Sequence, residues 1–378
     1  MAGCTNVGAD AQIDTLFPAE ILGDLVDKVK GKAVSDAGAI DGGALSAMLM
    51  RAMGDESPQV RAAAVAVGEW ADASALVPML QKYLDTDGNG ETDTDRADRT
   101  AASIARTLGK IAGKQGDADK ATDTVNRLAS LLACPTDDVQ TAAAEGIASA
   151  VRVLPGDRGK EILDHYLADI GGANARASGY GLAAAVKGMR SKSLLGHGVL
   201  ESLVVALADK KNQEKRAGAC VATECLMRVL VHIFEPYAAK IMPAIIKATG
   251  DKVTEVRSAA DAALSAIVRL CSPHALAVYI PIMATVKHES PLSNTTLPCS
   301  QTLVIRDALN QALIMSVWVQ VLCDRSSTWQ SKVACLQKFQ AQSELSGKQV
   351  GQLMDVMVPA VIESLTDTKP EVIARPMQ

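Results

Sequence analysis

The residues that come closest to a metal site in this chain form a short acidic run. The run DTDGNGETDTDR (85–96) places oxygen ligands at positions one, three, five and nine of an EF-hand loop, with Gly90 at the turn. The twelfth position requires a bidentate glutamate but is Arg96 here, and no EF-hand-like helix pair frames the run. We therefore interpret it as an acidic, solvated loop between helices and predict no metal site. The four candidate ligands are Asp85, Asp87, Asn89 and Asp93.

Other residues that could carry out catalysis are spread along the chain without a catalytic pattern. The five histidines have no metal-ligand spacing, and no Ser–His–Asp or Cys–His set has a local signature. The run GKIAGKQG (109–116) resembles a phosphate-binding P-loop, but it has one residue too few between its glycines. It also has glutamine where serine or threonine is needed. We predict no enzyme activity and no cofactor.

The densest basic cluster lies in DKKNQEKR (209–216) and contains Lys210, Lys211 and Lys215. Such lysines either belong to a solvated loop or bind RNA phosphates, where each neutralised phosphate adds salt-dependent affinity. The net charge of −5 argues against general nucleic-acid affinity, and we predict no DNA partner. The cluster is our candidate for a local contact with RNA phosphates.

The cysteines and the apolar runs indicate where the protein works. Eight cysteines are scattered with no CxxC pair, which is typical of free thiols in a reducing compartment. The first residues lack the charged start and apolar core of a signal peptide. The longest apolar run, 312–323, is too short to span a bilayer. We predict a cytoplasmic protein without a membrane partner.

The elements that position these residues are helices. Hydrophobic residues make up 48% of the chain but aromatic residues only 3%, so alanine and leucine, the strongest helix formers, dominate. A phrase with the pattern basic–x–Ala–Ala–x–x–Ala–Leu recurs at successive intervals of 38, 41, 36, 40, 41 and 75 residues. Five intervals lie near 40, the period of HEAT and armadillo repeats. We predict an all-α protein, an α-solenoid of HEAT/armadillo-type helical repeats. The phrases start at Arg61, Arg99, Gln140, Arg176, Arg216, Arg257 and Lys332.

A second helix follows the phrase in each unit, with apolar residues at i, i+3, i+4 and i+7 on one buried face. Pro243 and Pro359 lie inside two of these helices and are expected to kink them. The second helices are predicted around LVPMLQKYL (76–84), TVNRLASLLA (124–133), KEILDHYLADI (160–170), LESLVVALAD (200–209), AKIMPAIIKATGD (239–251) and MDVMVPAVIESLTD (354–367).

Acidic residues in the loops between units precede the basic start of the next unit. HEAT arrays often carry such an aspartate and arginine, whose pairing ties one unit to the next, and the nearest-neighbour logic of solenoids favours that structural role over a functional one. We predict an inter-repeat ladder that contains Asp55, Arg61, Arg99, Arg176, Arg216, Asp251 and Arg257.

These patterns divide the chain into four segments. The long interval of 75 residues could be an inserted loop, a degenerate extra unit, or an error in the deduced sequence such as an unspliced intron. The chain stops just as another first helix would begin, so we expect it to be part of a longer protein. The segments are an N-terminal helical segment with a partial repeat (1–54), HEAT repeats (55–286), an irregular insertion (287–327) and truncated HEAT repeats (328–378).

Four phrases in the second half of the chain carry a family resemblance. They are YGLAAAVKGM (180–189), DKKNQEKRAGA (209–219), FEPYAAKIMPAIIKATGDKVTEVRSAADAA (234–263) and TWQSKVACLQ (328–337). They resemble the elongation-factor-three-like stretch of the general-control translational activator. That family is a very large, ribosome-associated HEAT scaffold. It signals amino-acid starvation to the kinase of initiation factor two alpha.

The resemblance implies a non-enzymatic scaffold whose partners are the ribosome and translation factors or a regulatory kinase. Fungal elongation factor three, an ABC ATPase with a related N-terminal HEAT region, shares the DKK and EPY phrases and a tryptophan before a Lys-Val segment. The HEAT region of such an ATPase is therefore the alternative. An unrelated HEAT adaptor, such as a transport or phosphatase scaffold, is a third interpretation.

Overall fold

The computed structural model describes residues 42–86, 93–190 and 192–272, together with single positions at 274, 275, 278, 279, 282, 336, 358 and 362. Helices connected by short loops make up these ranges, and no strand occurs within them. The predicted all-α class of HEAT-type repeats is confirmed. The predicted insertion at 287–327 lies outside the described residues, as do residues 1–41 and, apart from single positions, 328–378.

The chain divides into two compact units, residues 1–159 and 160–378. The helices of the first unit are α1 (Gly42–Met53), α2 (Pro58–Gly68), α3 (Ala73–Asp85), α4 (Thr94–Gln115), α5 (Ala118–Leu131) and α6 (Asp137–Val151). Helix α7 (Gly156–Ala168) contains residues of both units. The second unit continues with α8 (Ala175–Met189), α9 (Lys192–Gly196), α10 (Val199–Ala208), α11 (Gln213–Leu230), a 3₁₀ helix (Val231–Ile233), α12 (Glu235–Ala248) and α13 (Thr254–Leu270).

Helical hairpins stack within the first unit, which is the local arrangement of an α-solenoid. The first helices of successive repeats pack on one another, α2 on α4 and α4 on α6, and α5 packs against both α4 and α6. Aspartates start three of the helices, because the carboxylates of Asp72, Asp93 and Asp117 accept hydrogen bonds from first-turn N–H groups. The short polar loops therefore decide where these helices begin.

Two glycines bring the backbones of α4 and α6 into direct contact. A Cβ atom on Gly109 would collide with the backbone of Gly146. A Cβ atom on Gly146 would collide with the carbonyl oxygen of Ala105 and would lie 2.7 Å from Cδ1 of Leu128. Only a residue without a side chain permits helices to approach this closely, so the crossing depends on glycine at both positions.

The second unit repeats the hairpin stack. Its first helices α8, α11 and α13 pack in series, and its second helices α10 and α12 contact each other. Alanines and aliphatic side chains fill the core between them, with Leu203, Leu226 and Ile245 fully buried. Helix α12 continues through Pro243 to its end at Ala248. Pro359, the second predicted helix-interior proline, lies outside the described residues.

Candidate functional site

The basic cluster lies in the loop of residues 209–212 and in the first turn of α11. The carboxylate of Asp209 accepts the backbone N–H of Lys211 at 2.9 Å, and the side chain of Asn212 accepts the N–H of Lys215 at 2.9 Å as the N-cap of α11. Short side chains that bind the backbone two or three residues ahead hold such a loop in one conformation. The lysines are therefore presented from an ordered backbone.

The side chains of Lys210, Lys211 and Lys215 are all exposed. Among the described residues, no carboxylate lies within ion-pair distance of their ammonium groups. The neighbouring Arg216 behaves differently, because its side chain is only 11% exposed and turns towards the next repeat. The run thus separates into three solvent-facing lysines and one internal arginine.

Arg216 ties two successive inter-repeat loops together. Its Nε and Nη2 atoms donate to the two carboxylate oxygens of Asp251 at 2.8 and 3.1 Å, and its Nη1 atom donates to the carbonyl oxygen of Asp209 at 2.8 Å. A two-point contact between guanidinium and carboxylate is among the stronger and more directional polar interactions in proteins. The loops at 209–212 and 249–253 are therefore held next to each other.

The carboxylates of Asp209 and Asp251 both bind partners within the loops. Burial alone would raise the pKa of Asp251, but hydrogen bonds from Arg216 and the N–H of Val253, with the charges of Arg216 and Arg257, hold it below the usual value. The N–H of Lys211 is the main cause that lowers the pKa of Asp209. Both carboxylates are ionised at neutral pH and are used within the loops.

The remaining ladder residues of the second unit bind in two different ways. Arg257 donates through Nη1 to the carbonyl oxygens of Asp251 and Lys252, at 2.8 and 3.0 Å. Arg176 on α8 lies 3.6 Å from the carboxylate of Glu224 on α11. Glu224 is 4% exposed, so this contact crosses the packed surface between two first helices.

In the first unit, the ladder arginines reach carbonyl oxygens. Arg61 donates through Nη1 to the carbonyl oxygens of Asp55 and Glu56, at 2.7 and 2.8 Å. The carboxylate of Asp55 instead accepts the N–H of Ser57. Arg99 donates to the carbonyl oxygen of Gly54 at 3.5 Å, and this contact joins successive repeats. The predicted role of these residues as a ladder between repeats stays a prediction.

A protein-family comparison identifies the second half of the chain. The model of the EF3 N-terminal HEAT repeat matches residues 175–290 and 305–375. This half of the chain is an EF3-type HEAT region. The matched residues include the basic cluster, Arg216 and Asp251.

Relatives of this chain include GCN1 proteins and an elongation factor. The "eIF-2-alpha kinase activator GCN1" of Dictyostelium discoideum is 27% identical over 79% of this chain and 10% of its own length. The "Stalled ribosome sensor GCN1" of Homo sapiens is 25% identical over the same shares. "Elongation factor 3" of Zygosaccharomyces rouxii is 29% identical over 45% of this chain and 13% of its own. The resemblance inferred from the motifs is confirmed, and the chain spans about a tenth of the length of these relatives.

In the acidic run before α4, the candidate ligands that the structure describes bind other groups of the protein. Asp85 pairs with Arg127 at 3.0 Å, and Asp93 caps α4. Asp87 and Asn89 lie outside the described residues. Across the ranges that are described, no group of three or more potential metal ligands comes together. None of the helices in those ranges is long and apolar enough to cross a membrane.

Sequence reasoning missed an exposed apolar pair in the EF3-type HEAT region. Val204 and Val205 on α10 are 38% and 69% exposed. The signal was present in the periodicity, because the buried leucines Leu200, Leu203 and Leu207 already complete one helical face. The two valines fall outside that face.

Cys220, in the same region, is expected to resist alkylation in the native protein. Burial raises the pKa of its thiol to about 12, and the charge of Asp251 adds to the increase. The thiolate is the reactive form, so its fraction at pH 8 falls by about a thousandfold relative to an ordinary cysteine. Iodoacetamide labelling with peptide mass spectrometry measures this, and half-buried Cys134 provides the comparison. Equal labelling rates in the native state would contradict the prediction.

Proposed function

We propose that this chain is part of a non-enzymatic, cytoplasmic HEAT scaffold that binds ribosomes and serves a regulatory kinase of translation initiation. Two relatives that each match 79% of the chain are named as a kinase activator and a stalled ribosome sensor, and they support this role. The partners would be the ribosome, translation factors or the kinase itself.

The observation that carries the proposal is the ordered display of Lys210, Lys211 and Lys215. Exposed ammonium groups with no carboxylate within ion-pair distance among the described residues are available to neutralise phosphates of ribosomal RNA. The backbone beneath them is already held by Asp209 and Asn212, so little backbone entropy is lost on binding. The proposed contact is electrostatic and independent of base sequence.

Ribosome binding is expected to weaken when these lysines are reversed to glutamate. Three phosphate contacts predict roughly 20- to 40-fold lower affinity between 50 and 200 mM salt, because each contact releases counterions. The triple variant Lys210→Glu, Lys211→Glu and Lys215→Glu should bind at least about tenfold more weakly at low salt and show a shallower salt dependence. Co-sedimentation of the purified chain with ribosomes over a salt series measures both.

A matched control changes the same amount of charge elsewhere. Lys82, Lys120 and Lys160 are exposed, and their reversal to glutamate should leave the salt dependence unchanged. A cluster variant that sediments as well as the parent would show that the cluster is only a solvated face. A parent chain that never sediments would show that this stretch lacks the ribosome-binding surface.

The second candidate function is the HEAT region of an elongation-factor-three-type ATPase. It is favoured by the family match, which describes the N-terminal repeats of that factor. The complete transcript separates the two candidates, because an ABC cassette downstream would indicate the elongation factor and further HEAT repeats would indicate the activator.

A further inference from the structure

Two adjacent valines stand in solvent on α10. Glu201, Val204, Val205 and Ala208 recur at helical spacing and are exposed, so they form one face of the helix. Scattered single exposed apolar side chains are normal, whereas a contiguous apolar patch marks an interaction site. Helix stability does not explain the pair, because an exposed β-branched valine favours a helix less than alanine, lysine or glutamate does.

Helix α12, which contacts α10, carries two exposed lysines. Lys240 and Lys247 are exposed and lie seven residues apart, on the same side of the helix. Among the described residues, neither lysine has an ion-pair partner. Half-buried Pro243 lies between them in the sequence of the helix.

The contacts of Arg216 fix the position of α10 relative to α12, and so the level of the valine pair relative to the two lysines. Helices α10 and α12 contact each other, and Arg216 binds both Asp209 and Asp251, which follow the C-terminal ends of these helices. Val205 and Lys247 are each in the last turn of their helix, so they lie at the same level along the pair. Lys240 lies about two turns earlier, level with the first turn of α10.

These observations define the chemistry of a partner. We propose that the face formed by Glu201, Val204, Val205, Lys240 and Lys247, the α10–α12 face, docks an amphipathic helical segment of another protein that places acidic side chains beside an apolar one. The apolar side chain would cover the valines, and the carboxylates would meet the two lysines. Glu201, in the first turn of α10, would repel a continuous polyanion that ran along the face. A partner that alternates acidic and apolar side chains is therefore favoured over a nucleic acid. Helix α10 is about 15 Å long, so about ten residues of a partner helix cover it.

The experiment selects 16-residue helical peptides from a displayed random library on the 378-residue chain, with counter-selection on its Val205→Glu variant. The enriched peptides should carry aspartate or glutamate one helical turn from leucine, isoleucine or phenylalanine. The most enriched peptide, made synthetically and labelled, should bind the parent at least tenfold more tightly than Val205→Glu. The same loss is expected for the double variant Lys240→Glu and Lys247→Glu.

Two controls separate this face from its surroundings. Ile233→Glu introduces the same charge at another exposed apolar position and should leave peptide affinity within twofold of the parent. The Lys210, Lys211 and Lys215 triple variant should also retain the peptide, so this result is independent of ribosome binding. Circular dichroism verifies that every variant keeps its helices.

Three outcomes would overturn the proposal. The first is a selection that enriches no peptide against the counter-selected variant. The second is an enriched set that is basic or lacks acidic residues. The third is a peptide that binds Val205→Glu or the double lysine variant as tightly as it binds the parent.

Discussion

A Gly146→Val substitution is expected to lower the free energy of unfolding of the first unit by about 3 kcal/mol, the upper end of the usual cost of overpacking, because the helix crossing leaves no room for a side chain. The new side chain would meet the carbonyl oxygen of Ala105, and a backbone atom cannot swing aside as a flexible side chain can. Helices α4 and α6 would have to separate and lose part of their packing. Urea unfolding followed by circular dichroism gives the stability, and hydrogen exchange of the α4 and α6 amides locates the loss.

Other glycines of the first unit provide a graded control. At Gly113, a Cβ atom would lie 3.0 Å from the carbonyl oxygen of Ser149, so Gly113→Ala should cost less than Gly146→Val. At Gly156 a Cβ atom would meet nothing within 4 Å, and Gly156→Ala should be neutral or stabilising by up to about 1 kcal/mol. Equal effects at Gly146 and Gly156 would show that the crossing does not depend on close backbone contact.

Replacement of Arg216 by leucine is expected to destabilise the second unit by about 1.5 to 3 kcal/mol, the usual cost of losing hydrogen bonds to a charged, partly buried group. The side chain of Asp251 is 16% exposed, and it would keep its charge without the two-point contact. Arg216→Lys should lie between the parent and the leucine variant, because an ammonium group retains the charge but not the planar two-point geometry. Thermal unfolding measures all three proteins.

The effect of Arg216→Leu should depend on pH. In the parent, the pKa of Asp251 lies below its unfolded value of about 3.9, so its contribution is complete above that value and is lost as pH falls through the folded pKa. In the variant, the loss of Arg216 raises the pKa of this carboxyl relative to the parent, and protonation relieves the partly buried charge. The stability difference between parent and variant should therefore shrink between pH 7 and pH 3.5. A difference that stays constant over this range would remove Asp251 from the explanation.

The sequence by itself determined the class of fold and the family. Helix starts are local events, in which a loop aspartate such as Asp93 or Asp117 binds N–H groups two or three residues ahead. The apolar stripes are also local, since they need only residues three and four apart to share a face. A period near 40 residues and the four phrases after residue 175 therefore identified EF3-type HEAT repeats without coordinates.

Only the tertiary structure decided which partners these residues take. Arg61 and Arg216 start their repeats in the same way, yet Arg61 binds the loop just before it, whereas Arg216 also binds a carboxylate 35 residues ahead. That second contact depends on how two repeats pack, which no local pattern encodes. The same holds for the Gly109–Gly146 crossing and for Val205, because periodicity shows which face of a helix is apolar but not how much of it the neighbouring helix covers. Side-chain partners and uncovered surface depend on how segments that are distant in the sequence pack together. The tertiary structure determines that packing, and local sequence patterns do not.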